Sequence, residues 1–469
     1  MAEHQNPPPR LDPPESEVQA EREVIVHKWS GWDRFEPTYI GGADGVRISE
    51  PDGTSYLDAM SQAWYANVGH HERRIAEAIS RQAHELASVS AGGMSTAPRR
   101  RLASRLLQIL PPSFARVFFG SNGSDATEMS LKMARLGTGR QGVVAFSGNY
   151  HGASMAATSV TGMPECREPF GEPVPGSVFV PYPNCYRCPL GLAYPQCDIA
   201  CANLVEEAIQ TQGTRRVGAI IGEVVKSVSG VVAPPPGYWK RIREIADRHD
   251  AWLIFDETVT GFGRTGSWFA MQHYGVTPDV LALGKGLTSG YQPLSATVFG
   301  ERAASMISSQ LASRPLFHGM SFEGHPVACA AGLANLDVIE HDGLIDRAAT
   351  LGHELQGRLE ALKERHRCVG DVRGLGLMWG IELVRDRSSR EPFAPGQPFH
   401  TKHALPVDAA EWAWEQLFDT HHILVGGAAS SLAPNIVQLA PPLTFTHADL
   451  DELVAGLDHV FGAIDAAYA

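Results

Sequence analysis

The chain has 469 residues, more than one ordinary hydrophobic core accommodates and enough for two domains or a large domain with an attached lobe. Its 39 Lys and Arg stand against 52 Asp and Glu, a formal charge of −13 that argues against a nucleic-acid partner. A hydrophobic share of 43% with no run of roughly 20 apolar residues argues against a membrane span, and seven cysteines are too few for a disulfide scaffold and point to a reducing, cytoplasmic setting.

Residues 1–21 are polar and Pro-rich, lack the apolar stretch of a signal peptide, and read as a disordered arm. The segment DGVRISEPDGTSYLDAM (44–60) predicts a hairpin turning at Asp52-Gly53, part of a small domain that begins over 22–71. From about Glu72 helix and strand alternate. RRIAEAISRQAHEL predicts a helix, RVFFG (116–120) a strand, SDATEMSLKMARLG a helix ending at Gly137, and GVVAFSG a strand. Further strands are expected at 217–225, 251–257, 279–284 and 294–300. Such alternation predicts an α/β fold, a mainly parallel sheet with helices on both faces, in a large domain over 72–325. A long Ala-rich helix then leads to strands at 376–384 and 435–443, which predict a smaller α+β domain over 326–469, completed from the other chain end.

Lys285 is one of only seven lysines, and LALGKGLTSG places it after an apolar strand and between two glycines. A partly desolvated amine there is a nucleophile toward an aldehyde, although a plain loop lysine would read the same. Asp256, in LIFDETVTGFGRTG, stands at the C-terminal end of an apolar strand, where ligands bind parallel sheets. A carboxylate buried there needs a cationic partner, and a protonated pyridine nitrogen would serve. Arg264 in the same loop reads as structural. In FFGSNGSDATEMSLKMAR a Gly/Ser-rich turn opens a helix whose first turn holds Ser124 and Asp125, either a phosphate site or an ordinary N-cap. Tyr150, in GNYHG, has the setting of an aromatic that stacks on a flat ring. An aldehyde, a ring nitrogen, a phosphate and a ring face together describe pyridoxal 5′-phosphate.

The order GSDA, YHG, FDETVTGFGRTG, LGKGLTSGYQPLSA, SFEGHPVACAAGLANL and DVRGLGLMWGIEL closely resembles the class III aminotransferases of the fold type I pyridoxal-phosphate enzymes, over roughly residues 30–460. The resemblance implies a homodimer, or a tetramer, with active sites at the subunit interface and a small domain built from both chain ends. It makes Lys285 the Schiff-base lysine and proton shuttle, and Asp256 the carboxylate on the pyridine nitrogen. Gly123 and Ser124 fall on the phosphate loop, Tyr150 on the stacked aromatic with His151 beside it, and Glu223 on a glutamate near the cofactor. Met320 and Ser321 fall on the segment that reaches the neighbouring subunit's phosphate. Trp64 matches an aromatic of the substrate pocket, to which Tyr65 and Val228 are also assigned.

Thr258 stands where the family commonly writes valine against the cofactor face, and keeps the branched shape. Many amine:pyruvate members carry an arginine shortly before an APPL segment to grip a substrate carboxylate, whereas LVGGAASSLAPNIVQLAPPLTFTHADL holds no Arg or Lys. Lys226, Arg73 or the His70/His71 pair could take its place, or the substrate is held by shape and apolar contact. Cys185, Cys188, Cys197 and Cys201 have spacings compatible with a four-cysteine zinc site, but no family chemistry needs a metal and none is assigned. The expected activity is transfer of an amino group from an amine or ω-amino acid to pyruvate or 2-oxoglutarate by a ping-pong mechanism. An aminomutase or racemase would use the same residues.

Overall fold

A computed structural model describes residues 21, 23–26, 37–170, 174–313, 315–394, 399, 407–427 and 432–467. The arm assigned to 1–21 therefore lies outside the described residues but for Glu21. Near the N-terminus β1 (Gly42–Asp44), β2 (Arg47–Ser49) and β3 (Ser55–Asp58) form an antiparallel meander. Its expected turn is real: Asp52 accepts a hydrogen bond from the Thr54 N–H at 2.8 Å, and Gly53 takes φ +96°.

The central sheet contains β4 (Phe114–Gly120), β5 (Gly142–Phe146), β6 (Ser177–Val180), β7 (Val217–Glu223), β8 (Trp252–Asp256), β9 (Val280–Leu283) and β10 (Ser295–Gly300), in the order β4-β10-β9-β8-β7-β5-β6. The strands from β9 to β6 pair in parallel, and every residue of β7, β8 and β9 is buried, as strands covered by helices on both faces require. The exception is β10, antiparallel to both β9 and β4. Only a 3-10 turn, Lys285–Leu287, stands between β9 and β10, so no crossover helix carries the chain back to a parallel start. The strand β6 was not expected: its four residues are too few to show a pattern against the Pro- and Gly-containing flanks.

The helix after β4 corrects one expectation. It runs Gly123–Thr138, through Gly137, and ends on Gly139 in the left-handed conformation at φ +67°. Gly137 is instead a contact residue, because a Cβ there would meet the Trp252 ring of β8 at 2.4 Å. Glycine lets this helix lie close on the strand that ends in Asp256.

Beyond the central sheet lie β11 (Val369–Gly374), β12 (Trp379–Leu383), β13 (Ile423–Leu424), β14 (Gly426–Gly427) and β15 (Ile436–Leu439). Four of these form the sheet β11-β12-β15-β14, while β13 leaves it to pair in parallel with β3. The two ends of the chain thus share one sheet. Arg264, fully buried, ties them to the large sheet: it donates to Leu377 O and Pro441 O, to Ser61 Oγ at 2.9 Å and to Asn67 Oδ1 at 2.8 Å. The cysteine-bearing loop makes a second tie, with Arg187 paired to Glu382 of β12 and the Arg390 guanidinium over the Tyr186 ring. All seven cysteines are free thiols, and among the described residues no three of His, Cys, Asp or Glu gather as metal ligands. Among those residues no helix is long and apolar enough to cross a membrane.

Candidate active site

The parallel strands end on one edge, and there the chain places its chemistry. Glu223 closes β7, Asp256 closes β8 and Lys285 follows β9 by one glycine. They open onto a cavity of about 680 Å³ whose wall also includes Gly123, Ser124, Tyr150, His151 and Thr258. Eight expected positions, from four separate strand ends and the helix start, are thereby brought together with a ninth, Tyr65.

Asp256 is 4% exposed. Burial works to raise its pKa, but the hydrogen bond from His151, whose Nδ1 lies 2.8 Å from Asp256 Oδ2, and that of the Thr258 N–H at 3.0 Å prevail, and the carboxyl titrates below the usual range. It is held as an anion facing the cavity. His151 is fixed from both sides of its backbone, donating its N–H to Thr161 Oγ1 and accepting from Thr127 Oγ1, while its buried Nε2 has no hydrogen-bond partner among the described residues. Glu223 accepts from the Tyr150 N–H at 2.9 Å and from both Ser227 donors. Burial raises its pKa, with His151 opposing. Through that bond Glu223 sets the backbone that carries the Tyr150 ring.

At the start of the sixteen-residue helix Asn122 is the N-cap: its side chain accepts from the Asp125 N–H. Asp125 in turn accepts from the Ser121 N–H at 2.7 Å. The N–H groups of Gly123 and Ser124 belong to the first turn, where no intrahelical acceptor exists, so they face the cavity at the positive end of the helix dipole. The cap is thus Asn122, not Ser124 or Asp125. Gly123 lies close to Thr258, and a Cβ there would crowd Thr258 Cγ2 at 3.1 Å. Lys285 sits at φ +43° in the left-handed region, a strained backbone at a position on the cavity wall.

Four expected positions stand apart. Trp64, 5% exposed, packs in the core behind Tyr65, and Val228 is off the wall, its carbonyl accepting from Gln438 Nε2. Met320 and Ser321 lie in a surface segment without regular structure and do not reach the cavity of their own chain. Of the candidate cations, Lys226 is buried over the Tyr182 ring, Arg73 is exposed, and His70 and His71 pair with Asp58 and Asp44; none lines the cavity. The β14 glycines bring no side chain either, and a Cβ on Gly426 would meet Met60 Cε at 2.6 Å. Sequence reasoning missed Ser121, Thr288 and Gln292 on the wall. Thr288 and Gln292 lie in the turn after Lys285, and only the antiparallel return of β10 brings that turn over the cavity.

The wall fits pyridoxal phosphate: an ionised strand-end carboxylate for the ring nitrogen, a helix start for the phosphate, an amine, an aromatic, and a buried imidazole nitrogen awaiting a partner. With the sheet order and the lysine turn, these features define a pyridoxal-phosphate enzyme of fold type I. The chain belongs to the class III aminotransferases, whose family model, "Aminotransferase class-III", matches residues 32–461. It is 33% identical to the taurine–pyruvate aminotransferase of Bilophila wadsworthia over 96% of this chain and 98% of that one. It is 34% identical to the diaminobutyrate–2-oxoglutarate transaminase of Halomonas elongata over 91% of each. Its fold matches the pyridoxal-phosphate-bound amine transaminase from an uncultivated Pseudomonas species, with a TM-score of 0.86 and 36% identity over 94% of this chain and 98% of that one.

Proposed function

We propose that this chain moves an amino group from an amine or ω-amino acid donor to pyruvate or 2-oxoglutarate, in two half-reactions at one site. The observation that carries the reading is the meeting of Lys285, the Asp256–His151 pair and the open helix start at Gly123 and Ser124 in one cavity. The two acceptors are supported by the names of the relatives, which pair taurine with pyruvate and diaminobutyrate with 2-oxoglutarate.

Pyridoxal phosphate, when bound, supplies an aldehyde that condenses with amines and a ring that takes up an electron pair. Asp256, kept ionised by His151, would hold a proton on the ring nitrogen of the bound group. Lys285 Nζ would take the proton from the donor carbon that bears the amine, and in the second half-reaction would return a proton to the acceptor carbon. Gly123 and Ser124 would hold the phosphate, and Tyr150 and Thr258 would pack on the ring. Tyr65 shapes the donor side, to which Trp64 and Val228 are also assigned. In this reading residues 72–325 are the cofactor domain, 22–71 with 326–469 form the small domain, and two chains pair in the cytoplasm so that Met320 and Ser321 reach the partner's site.

The test is a panel of amines and ω-amino acids followed through the cofactor's absorbance near the visible edge. A productive donor bleaches the band, and pyruvate or 2-oxoglutarate restores it; Lys285→Ala shows neither change. Steady turnover without any added keto acid would overturn the transferase reading in favour of an isomerase.

A further inference from the structure

Between β3 and the first long helix the chain does something no sequence pattern announced. Ser61, Gln62 and Trp64 all adopt left-handed backbone, at φ +49°, +58° and +67°, a conformation that residues with a Cβ enter only when their surroundings compel it. The next residue, Tyr65, reaches the cavity wall, where its ring lies so close to Gly290 that a Cβ there would come within 2.5 Å.

What compels the turn is Asp58, the last residue of β3, which is fully buried. Its carboxylate accepts from the Met60 N–H at 3.2 Å, from the Gln62 N–H at 3.1 Å and from Gln62 Nε2 at 3.0 Å, and it pairs with His70 Nε2 at 3.0 Å. Two backbone donors, one side-chain amide and one imidazole thus converge on one group, and of the backbone donors Met60 leads into the turn and Gln62 lies within it. Arg264, within electrostatic reach of Asp58, anchors the other side by donating to Ser61 Oγ, which in turn donates to Ala440 O. The Tyr65 hydroxyl also feels the Asp58 charge. A buried carboxylate with this many partners persists only because every partner is in place.

We propose that Asp58 is a positioning residue for the donor side of the active site: by pinning the left-handed turn at 61–64 it fixes where Tyr65 stands, and so which amines fit. His70 assists by pairing with Oδ2, the carboxylate oxygen that also accepts from Gln62 Nε2. This rests on the aminotransferase reading above.

The test uses the holoenzyme and measures kcat and KM for a bulky amine, with the cofactor absorbance band as a control. Asp58→Asn should raise the donor KM on the order of tenfold while kcat stays within about threefold and the band is unchanged. Adding Gln62→Gly, which enters the left-handed region without a Cβ, should recover most of that loss. An unchanged KM overturns the proposal, as does a KM that the glycine fails to restore, or a loss of the cofactor band in parallel with KM, which would make Asp58 a general structural residue. If Asp58→Asn does not fold, His70→Gln reads the same quantities, with KM raised about threefold, and an unchanged KM there overturns the proposal equally. A silent variant in an active enzyme defeats this inference alone, whereas a wild type inert to every amine defeats the parent reading and this one with it.

Discussion

Asp256 and Glu257 are neighbours in the chain, both buried, and their acidities move in opposite directions. Alternation along the strand end sends one toward the cavity and the other into the wall behind it. Asp256 meets His151 and stays ionised. Glu257 accepts from the Ala270 and Met271 N–H groups and from Thr260 Oγ1, but burial outweighs these bonds and pushes its carboxyl up from 4.5 to about 7. A carboxyl raised in the fold lends stability that is full below about pH 4.5 and is lost as pH climbs through about 7, on the order of 3 kcal/mol for this shift. Melting temperatures measured between pH 5 and 8 should therefore fall more steeply for the wild type than for Glu257→Gln, and parallel slopes would refute the assignment. Asp256 was legible as a charged carboxylate at the ligand edge. Its pairing with His151 was not, because the two are 105 residues apart, nor was the burial that raises Glu257.

Among the elements, the helix Gly123–Thr138 shows how far local signals reach. Its start was readable, since a Gly/Ser turn followed by Asp is what an open, capped N-terminus requires. Its end was read one residue early because glycine is the usual helix stop, and here two glycines compete. Gly139 has open space around it and takes the left-handed φ, whereas Gly137 is pressed against Trp252. Alanine normally favours a helix interior over glycine by about 1 kcal/mol, yet at 137 the overlap should win, so that Gly137→Ala lowers stability by about 1–3 kcal/mol. The midpoint of denaturant unfolding checks the sign. A stabilised variant would mean that the helix and β8 can separate at no cost. The same limit explains β10, whose residues read plainly as a strand while its direction was set by the short connection before it.

At the scale of the molecule, Arg264 binds three separated stretches of chain around the site, and the segment 315–322 presents large apolar side chains outward, with Phe317 94% and Phe322 64% exposed. Aromatic groups this exposed, close to Met320 and Ser321, suit a surface that another copy covers. Light scattering should give the wild type twice the chain mass. The double variant Phe317→Asp, Phe322→Asp should run as a monomer with activity reduced on the order of a hundredfold, since a residue supplied in trans would be missing. A fully active monomer would remove the shared site from the reading.

Lys285 between two glycines, Asp256 at the end of an apolar strand, Gly123-Ser124 at a helix start and Tyr150 between glycines were all determined by the sequence itself, because each is a local feature written in neighbouring residues. The alternation of helix and strand was likewise enough for the α/β class. Only the tertiary structure decided that Trp64 packs in the core while Tyr65 lines the cavity, that Lys226 is buried away from the pocket, and that β13 joins the chain's two ends. These depend on groups tens to hundreds of residues apart, whose packing no local pattern records.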